Sequence, residues 1–169
     1  MPTVYTSVFE SAVGPLSLAS TDKGMCKLCI RGYRRSDFVP WLHRCLPDHD
    51  IIESESRNRA SISELKEYLS GRLTTFSIPL HMIGTDFQKT VWTELLKVPY
   101  GTTISYKELA RRVGVPRGSQ SVGRVNAANP LPLVVPCHRV VGADDSLTGY
   151  GGGIKMKEFL LRLEGALLL

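Results

Sequence analysis

The sequence predicts an α+β protein of two domains, and three observations support that prediction. Residues 3–30 are short alternating or apolar segments separated by Gly-containing turns, which is typical of antiparallel strands. Residues 84–128 instead have apolar side chains at helical spacing, and polar residues able to cap a helix precede these segments. The pattern changes near Ile83-Gly84. We therefore expect an α+β domain over 1–83 and a mostly helical domain over 84–169.

Length and composition are those of a globular protein. At 169 residues, with 43% hydrophobic and 22% charged residues, the chain can bury one good core or two small ones. No apolar run approaches the roughly 20 residues of a transmembrane helix, and residues 1–5 lack a secretory-signal pattern. We expect no membrane association. Four cysteines without framework spacing favour a reducing, intracellular setting.

Three strands are expected in the first domain. Thr3–Phe9 alternates, Gly14-Pro15 turns the chain into Leu16–Ala19, and Asp22-Lys23-Gly24 leads into Met25–Ile30. Tight turns between such segments predict a small antiparallel sheet.

Cys26 and Cys29 form a CxxC pair, the spacing of half a zinc site or of a redox pair. Residues three apart on a strand point to opposite faces, however, and the chain has no second CxxC. We interpret both as small strand residues and expect no metal site.

Helices are expected between and after these strands. A short helix is predicted near Pro40–Leu46. Ser61-Ile62-Ser63-Glu64 reads as a capping box that opens a helix ending at Gly71. Residues 76–80 are predicted to be extended.

In the second domain, Thr85-x-x-Gln88 is a capping box whose helix would bury one apolar face. That face and its flanks comprise Phe87, Val91, Trp92, Leu95, Leu96 and Val98. Ser105-x-x-Glu108 opens a further helix, and Ser119–Ala128 a third. Two short helices joined through Gly114 and Pro116 predict a helix-turn-helix. The third is small and polar, which suits close approach to another surface.

Basic residues concentrate in the second domain. Its net charge is +4, against +1 for residues 1–83, and residues 107–139 hold six Lys or Arg and a single acid, Glu108. This distribution is that of a phosphate-binding face, although a solvated basic surface would have the same composition.

The segment Pro136–Val141 places Cys137 beside His138 and Arg139, after the apolar run 131–135. A thiol has an ordinary pKa of about 8.5 and becomes a strong nucleophile beside a base or a positive charge. Read locally, a reactive cysteine and a buried structural cysteine with basic neighbours both remain open.

The wider pattern resembles the O6-alkylguanine-DNA alkyltransferases. The resemblance consists of Asn129-Pro130, the PCHRVV segment, Gly149–Gly153, Lys157–Leu161 and Glu164-Gly165, and it extends from about residue 87 to 165. The first half matches only in layout. The resemblance implies a ribonuclease-H-like first domain and a winged-helix second domain. It also implies a protein that needs no cofactor, located in the cytoplasm of a prokaryote or the nucleus of a eukaryote.

The implied activity is DNA repair in a single turnover. A monomer would bind double-stranded DNA containing O6-alkylguanine, extrude the nucleotide and transfer its alkyl group irreversibly to Cys137. O4-alkylthymine is left open as a second substrate. His138 would act as base, Glu164 would orient it, Asn129 would brace the turn and thiol, and Tyr106 would help the guanine leave.

The resemblance also implies the binding residues. Those expected to contact DNA are Arg117, Gln120, Ser121, Arg124, Ala127, Ala128 and Arg139. Those expected to line the base pocket are Tyr106, Val140, Tyr150, Gly151, Gly152 and Lys157. Gln120 stands where the family has an arginine that replaces the extruded nucleotide. It lacks that residue's charge and planar fork. Arg124 or Arg117 would compensate.

Three other functions remain at this point. A non-catalytic binder of alkylated DNA would share the helix-turn-helix but lack the reactive cysteine. A Cys-His hydrolase would leave the basic helices unexplained, and a transcription regulator would need a sensor or dimerisation segment.

Overall fold

The computed structural model describes residues 1–30, 37–150 and 153–167. The chain forms two compact units, Met1–Ile83 and Gly84–Leu169. The α+β class is confirmed. None of the helices in the described ranges is both long and apolar enough to cross a membrane.

The first unit is built on a four-stranded sheet. Its strands are β1 (Thr3–Ser11), β2 (Gly14–Thr21), β3 (Gly24–Cys29) and β4 (Asp50–Glu53), in the order β3-β2-β1-β4. The three predicted strands pair antiparallel as expected. The fourth was not predicted: β4 lies parallel to β1, with Thr3 opposite Asp50 and Thr6 opposite Glu53.

Two helices accompany the sheet. Helix α1 (Phe38–Cys45) confirms the helix predicted near residues 40–46, and its Phe38 and Leu42 pack into one core cluster with Val4 and Ala19 of the sheet. Helix α2 (Glu55–Leu69) contacts β1 and β2.

The predicted start of α2 is wrong. The helix begins at Glu55, and the Ser54 hydroxyl caps it by accepting a hydrogen bond from the Arg57 N–H. Residues 61–64 lie inside the helix. The Glu64 carboxylate, instead of closing a capping box, accepts hydrogen bonds from the backbone N–H groups of Ser77 and Ile78. The end is as predicted, since Gly71 follows the helix with a positive φ of 80°.

The expectation that Cys26 and Cys29 point to opposite faces is also wrong. Both are buried in the same cluster as Val4. Lys27 pairs with Ala19 whereas Met25 pairs with Ser20, so the register shifts at Cys26. A bulge of this kind adds one residue to a strand and breaks the two-residue alternation of side chains. Both residues belong to β3, as we interpreted them, and both are buried.

The second unit opens with helix α3 (Asp86–Leu95). Its capping box is confirmed, because Thr85 and Gln88 exchange backbone-to-side-chain hydrogen bonds of 2.9 and 3.1 Å. Val91, Trp92, Leu95 and Val98 are buried as predicted. Phe87 and Leu96 are 37% and 43% exposed, so their assignment to the core is wrong.

The predicted helix-turn-helix is present as α4 (Tyr106–Arg112) and α5 (Ser119–Ala127). Ser105 caps α4, but Glu108 binds Arg111 and Arg112 and does not complete the capping box. Gly114 has a φ of 81°, which suits glycine at the turn after α4. Two short parallel strands, β5 (Ile104–Ser105) and β6 (Val140–Val141), join the start of α4 to the PCHRVV segment. Helix α6 (Ile154–Leu163) follows.

Candidate active site

Cys137 opens a single 3-10 turn, Cys137–Arg139, directly before β6. The apolar run that precedes it is buried, and Cys137 itself is only 4% exposed. Asn129 braces this run, since its Oδ1 accepts from the Leu131 N–H at 2.9 Å and its Nδ2 donates to the Val135 carbonyl at 2.8 Å. These two hydrogen bonds tie Asn129 to the run that leads into Cys137.

The Cys137 thiol is protonated in the resting site. Burial raises its pKa to about 11, while a hydrogen bond from the Asn129 side chain and the nearby charge of Lys157 oppose that rise. Basic neighbours along the sequence are therefore insufficient to ionise this sulfur. For this sulfur to act as a nucleophile, a base would have to remove the proton.

His138 and Glu164 form a buried pair. His138 Nε2 lies 2.8 Å from Glu164 Oε1, and neither side chain is exposed. Because a carboxylate accepts hydrogen bonds, we assign the proton to Nε2, which leaves Nδ1 as the basic nitrogen. Burial lowers the pKa of His138, although Glu164 opposes the shift, so the ring is neutral near pH 7.

Arg139 does not lie on a DNA-binding surface, and this part of the prediction is wrong. It is 7% exposed, and its guanidinium donates to both Glu164 oxygens, Nε to Oε2 at 2.9 Å and Nη2 to Oε1 at 2.8 Å. Its Nη1 donates to the Val98 carbonyl at 2.7 Å. These donors stabilise a buried carboxylate and are directed away from solvent.

Lys157 is fully buried beneath the segment that follows β6. Its ammonium donates to the carbonyls of Val140 and Thr148. Burial lowers its pKa to about 8, and the nearby Cys137 opposes that shift. Lys157 thus ties residue 148 to the strand that follows the cysteine.

Tyr106 lies between α5 and the 142–149 segment. Its hydroxyl donates to the Thr148 carbonyl at 3.0 Å. A Cβ on Gly123 would lie 3.7 Å from the Tyr106 ring, which is an ordinary van der Waals distance, so α5 passes directly beside the ring at this residue. A cavity of about 640 Å³ adjoins the ring. Its lining comprises Tyr106, Ser119, Gln120, Gly123, Arg124, Ala127, Thr148 and Gly149.

Helix α5 presents one exposed face and one anchored face. Val122 and Val125 are buried, and the Trp92 indole donates to the Val125 carbonyl at 3.0 Å. The remaining residues predicted to bind DNA are all exposed, and they are Arg117, Gln120, Ser121, Arg124, Ala127 and Ala128. Two of these, Gln120 and Arg124, line the same cavity.

The predicted pocket residues are brought together only in part. Tyr106 and Lys157 both donate to the Thr148 carbonyl, and Lys157 also donates to the Val140 carbonyl. Tyr150, two residues after Thr148, is half-buried. Gly151 and Gly152 lie outside the described residues.

Sequence reasoning missed Asn126. This residue is 2% exposed on α5, and its Nδ2 donates to the Cys137 carbonyl at 3.1 Å. The available signal was its position four residues after Val122, which puts an amide on the buried face of the helix.

Comparison with known families covers nearly the whole chain. The family model for the ribonuclease-like domain of 6-O-methylguanine DNA methyltransferase matches residues 4–82, and the model for its DNA binding domain matches residues 86–166. Methylated-DNA–protein-cysteine methyltransferase from Methanosarcina barkeri is 42% identical over 95% of this chain and 97% of its own length. The Mycobacterium tuberculosis relative of the same name is 38% identical, over 95% and 92%.

Solved structures agree with these matches. The crystal structure of Mycobacterium tuberculosis OGT in complex with DNA has a TM-score of 0.80 at 37% identity, covering 97% of this chain and 93% of that one. O6-methylguanine-DNA methyltransferase from Pyrococcus kodakaraensis has a TM-score of 0.64 at 26% identity, covering 96% and 99%. The fold and these matches define a DNA-repair methyltransferase. The chain belongs to the 6-O-methylguanine DNA methyltransferase family.

Proposed function

We propose that this protein transfers the alkyl group of O6-alkylguanine in double-stranded DNA to Sγ of Cys137. One observation carries the proposal: Cys137 lies next to a buried His138–Glu164 pair, on a unit whose helix-turn-helix exposes basic and small residues. The relatives named above support the same activity.

DNA engagement would use helix α5. The exposed Ala127, at the end of α5, and Ala128, directly after it, have side chains small enough for the backbone to approach a groove closely, as the family resemblance implies for the minor groove. Arg117 and Arg124 supply positive charge for the phosphates. Gln120 is exposed at the first turn of α5. It would fill the space left by the extruded nucleotide without adding charge.

Extrusion is needed because the O6 substituent lies within the base stack, where no side chain can attack it in line. The base would enter the cavity beside Tyr106. The Tyr106 hydroxyl donates to the Thr148 carbonyl in this structure and Cys137 is buried. We expect this contact to open when the base reaches the sulfur. The carbonyls of Cys137 and Val140 would then accept from the guanine amine.

The chemistry would begin with proton transfer. The Cys137 thiol gives its proton to His138 Nδ1, directly or through one bridging water, and Glu164 stabilises the resulting imidazolium. The thiolate forms a bond to the alkyl carbon while the C–O6 bond breaks, and its electron pair goes to the guanine. The leaving guanine takes up a proton, assisted by the Tyr106 hydroxyl.

The product would be a thioether, which water does not cleave under physiological conditions. Each chain would therefore act once. We further propose that it acts as a monomer and needs no cofactor. O6-alkylguanine is the proposed substrate, and O4-alkylthymine would be a poorer one because it offers no amine to the Cys137 and Val140 carbonyls.

The test is to incubate the protein with a duplex containing O6-methylguanine and to weigh the peptide that contains Cys137. We expect a gain of one methyl group per chain and loss of the lesion. Cys137→Ser should abolish the transfer. Cys45→Ser, which changes the half-buried cysteine of the first unit, should leave it intact. Tight binding with an intact lesion would instead identify a non-catalytic binder.

A further inference from the structure

Asn126 is the buried polar residue of helix α5. The buried side chains of that helix are Val122, Val125 and Asn126. The two valines pack as apolar anchors, whereas Asn126 donates from Nδ2 to the Cys137 carbonyl at 3.1 Å. A buried amide costs free energy unless it is hydrogen-bonded, so the folded structure favours this contact. The contact links α5 to the backbone of the proposed acceptor residue.

A second contact connects Asn126 with Tyr106. The Asn126 side chain lies close enough to the Tyr106 hydroxyl to lower its pKa, against the larger effect of burial. The charge of Cys137 acts on the same hydroxyl and raises its pKa. Asn126 therefore lies between the two residues that the proposed function places against the extruded base.

We propose that Asn126 is a positioning and specificity residue: it orients the Cys137 carbonyl towards the exocyclic amine of an O6-alkylguanine. The inference rests on the proposed function. A carbonyl oxygen can accept two hydrogen bonds. The Cys137 carbonyl accepts one from the Asn126 amide and one from the Val140 N–H at the end of the 3-10 turn. The substrate amine would compete with the Val140 N–H for this oxygen, while the Asn126 amide holds the oxygen in position.

The chemistry of the lesion makes this orientation selective. Alkylation at O6 removes the N1 proton, so the exocyclic amine holds the only hydrogen-bond donors on the base. A correctly aimed carbonyl therefore favours alkylguanine over any alkylated base without that amine. The Asn126 Oδ1 is buried without a partner among the described residues, so it offers a further acceptor close to the Cys137 carbonyl.

The experiment compares two lesions in one duplex sequence, O6-methylguanine and O6-methylhypoxanthine, which lacks the amine. Single-turnover rates at saturating DNA are measured for the wild type and for Asn126→Leu, which keeps the side-chain size but removes the donor. We expect Asn126→Leu to lose about fivefold more rate on O6-methylguanine than on O6-methylhypoxanthine, the value of one hydrogen bond. A merely structural defect would lower both rates equally.

Two further variants keep the test decisive. Asn126→Ala replaces Asn126→Leu if the larger side chain prevents folding, because alanine favours the helix. Asn58→Ala removes a buried asparagine of the first unit and should leave the ratio of the two rates unchanged. Equal losses on both lesions in the Asn126 variants would overturn the inference while the wild type still repairs. A wild type that transfers no methyl group would overturn the proposed function itself, and the inference with it.

Discussion

Arg139 holds Glu164 by both carboxylate oxygens, with Nε–Oε2 and Nη2–Oε1 distances of 2.9 and 2.8 Å. The same Glu164 Oε1 lies 2.8 Å from His138 Nε2. One buried cation thus fixes the carboxylate while the carboxylate fixes the imidazole. His138 and Arg139, which follow Cys137 along the chain, therefore both bind the Glu164 carboxylate at the end of α6.

The first prediction concerns the stability of this pair. Arg139→Met keeps the apolar stem but leaves Glu164 buried without its cation, which should cost about 3–5 kcal/mol of unfolding free energy. The matched control is Arg162→Met, which breaks an exposed ion pair between Arg162 and Glu158 within α6. It should cost less than about 1 kcal/mol of unfolding free energy. Urea denaturation of both variants measures the difference. Equal effects would contradict a special role for the buried pair.

The second prediction concerns the exposed residues that we propose to contact DNA. Arg124→Ala should weaken duplex binding and reduce the slope of log affinity against log salt by about 1, because one phosphate contact is lost. Gln120→Ala should leave the salt slope unchanged, since glutamine is uncharged. Fluorescence anisotropy at several salt concentrations checks both. An unchanged slope for Arg124→Ala would remove Arg124 from the phosphate contacts.

The third prediction is a pH dependence. Burial holds the pKa of His138 below its ordinary value of 6.5. As the pH falls through that pKa the ring takes up a proton and can no longer accept one from Cys137, so the transfer rate falls. Lys157, whose pKa is about 8, is mostly protonated by pH 7. We therefore expect a rate that is constant from pH 7 to 6.5 and declines below pH 6.5. Single-turnover transfer measured from pH 7 downwards, with circular dichroism to verify folding, tests this.

Glu164→Gln provides the comparison for that profile. Glu164 raises the pKa of His138 against the effect of burial. Without the carboxylate the decline should move to still lower pH, and the plateau should be lower because the imidazolium loses its partner. A decline centred above pH 6.5 in the wild type would contradict His138 as the base.

The fourth prediction concerns access to the sulfur. Tyr106→Phe removes the hydrogen bond to the Thr148 carbonyl, so the 142–149 segment should open more often. A hydrogen bond of about 1 kcal/mol corresponds to roughly fivefold faster alkylation of Cys137 by iodoacetamide. Cys26, buried in the first unit, is the internal control and should react at an unchanged rate. Equal labelling of Cys137 in both proteins would show that this contact does not limit access.

Local patterns predicted much of this molecule. The helical spacing and caps around residues 85–128 identified α3, α4 and α5, because those signals span only a few residues. The PCHRVV segment identified Cys137 and His138, and the motif around Glu164 supplied the partner of His138. These residues could be found because each lies in a distinctive run of sequence.

The misses have a common physical origin in long-range contacts. Strand β4 is four residues long, and its pairing with β1 rather than its own pattern makes it a strand. Arg139 was assigned to DNA because the sequence does not reveal that Glu164, 25 residues away, binds it. Asn126 was overlooked because its partner, the Cys137 carbonyl, is a backbone group that carries no sequence signal.

The start of α2 yields the last prediction, because two serines compete for the cap. Ser61 is followed by Glu64 at capping-box spacing, yet Ser54 accepts the hydrogen bond from the Arg57 N–H and the helix continues through Ser61. Ser54→Ala should therefore cost about 1 kcal/mol of unfolding free energy. Ser61→Ala should be neutral or stabilise by up to about 0.5 kcal/mol, since alanine is the better helix former. Urea denaturation followed by circular dichroism compares the two, and a larger loss for Ser61→Ala would mean that the helix begins at the later serine.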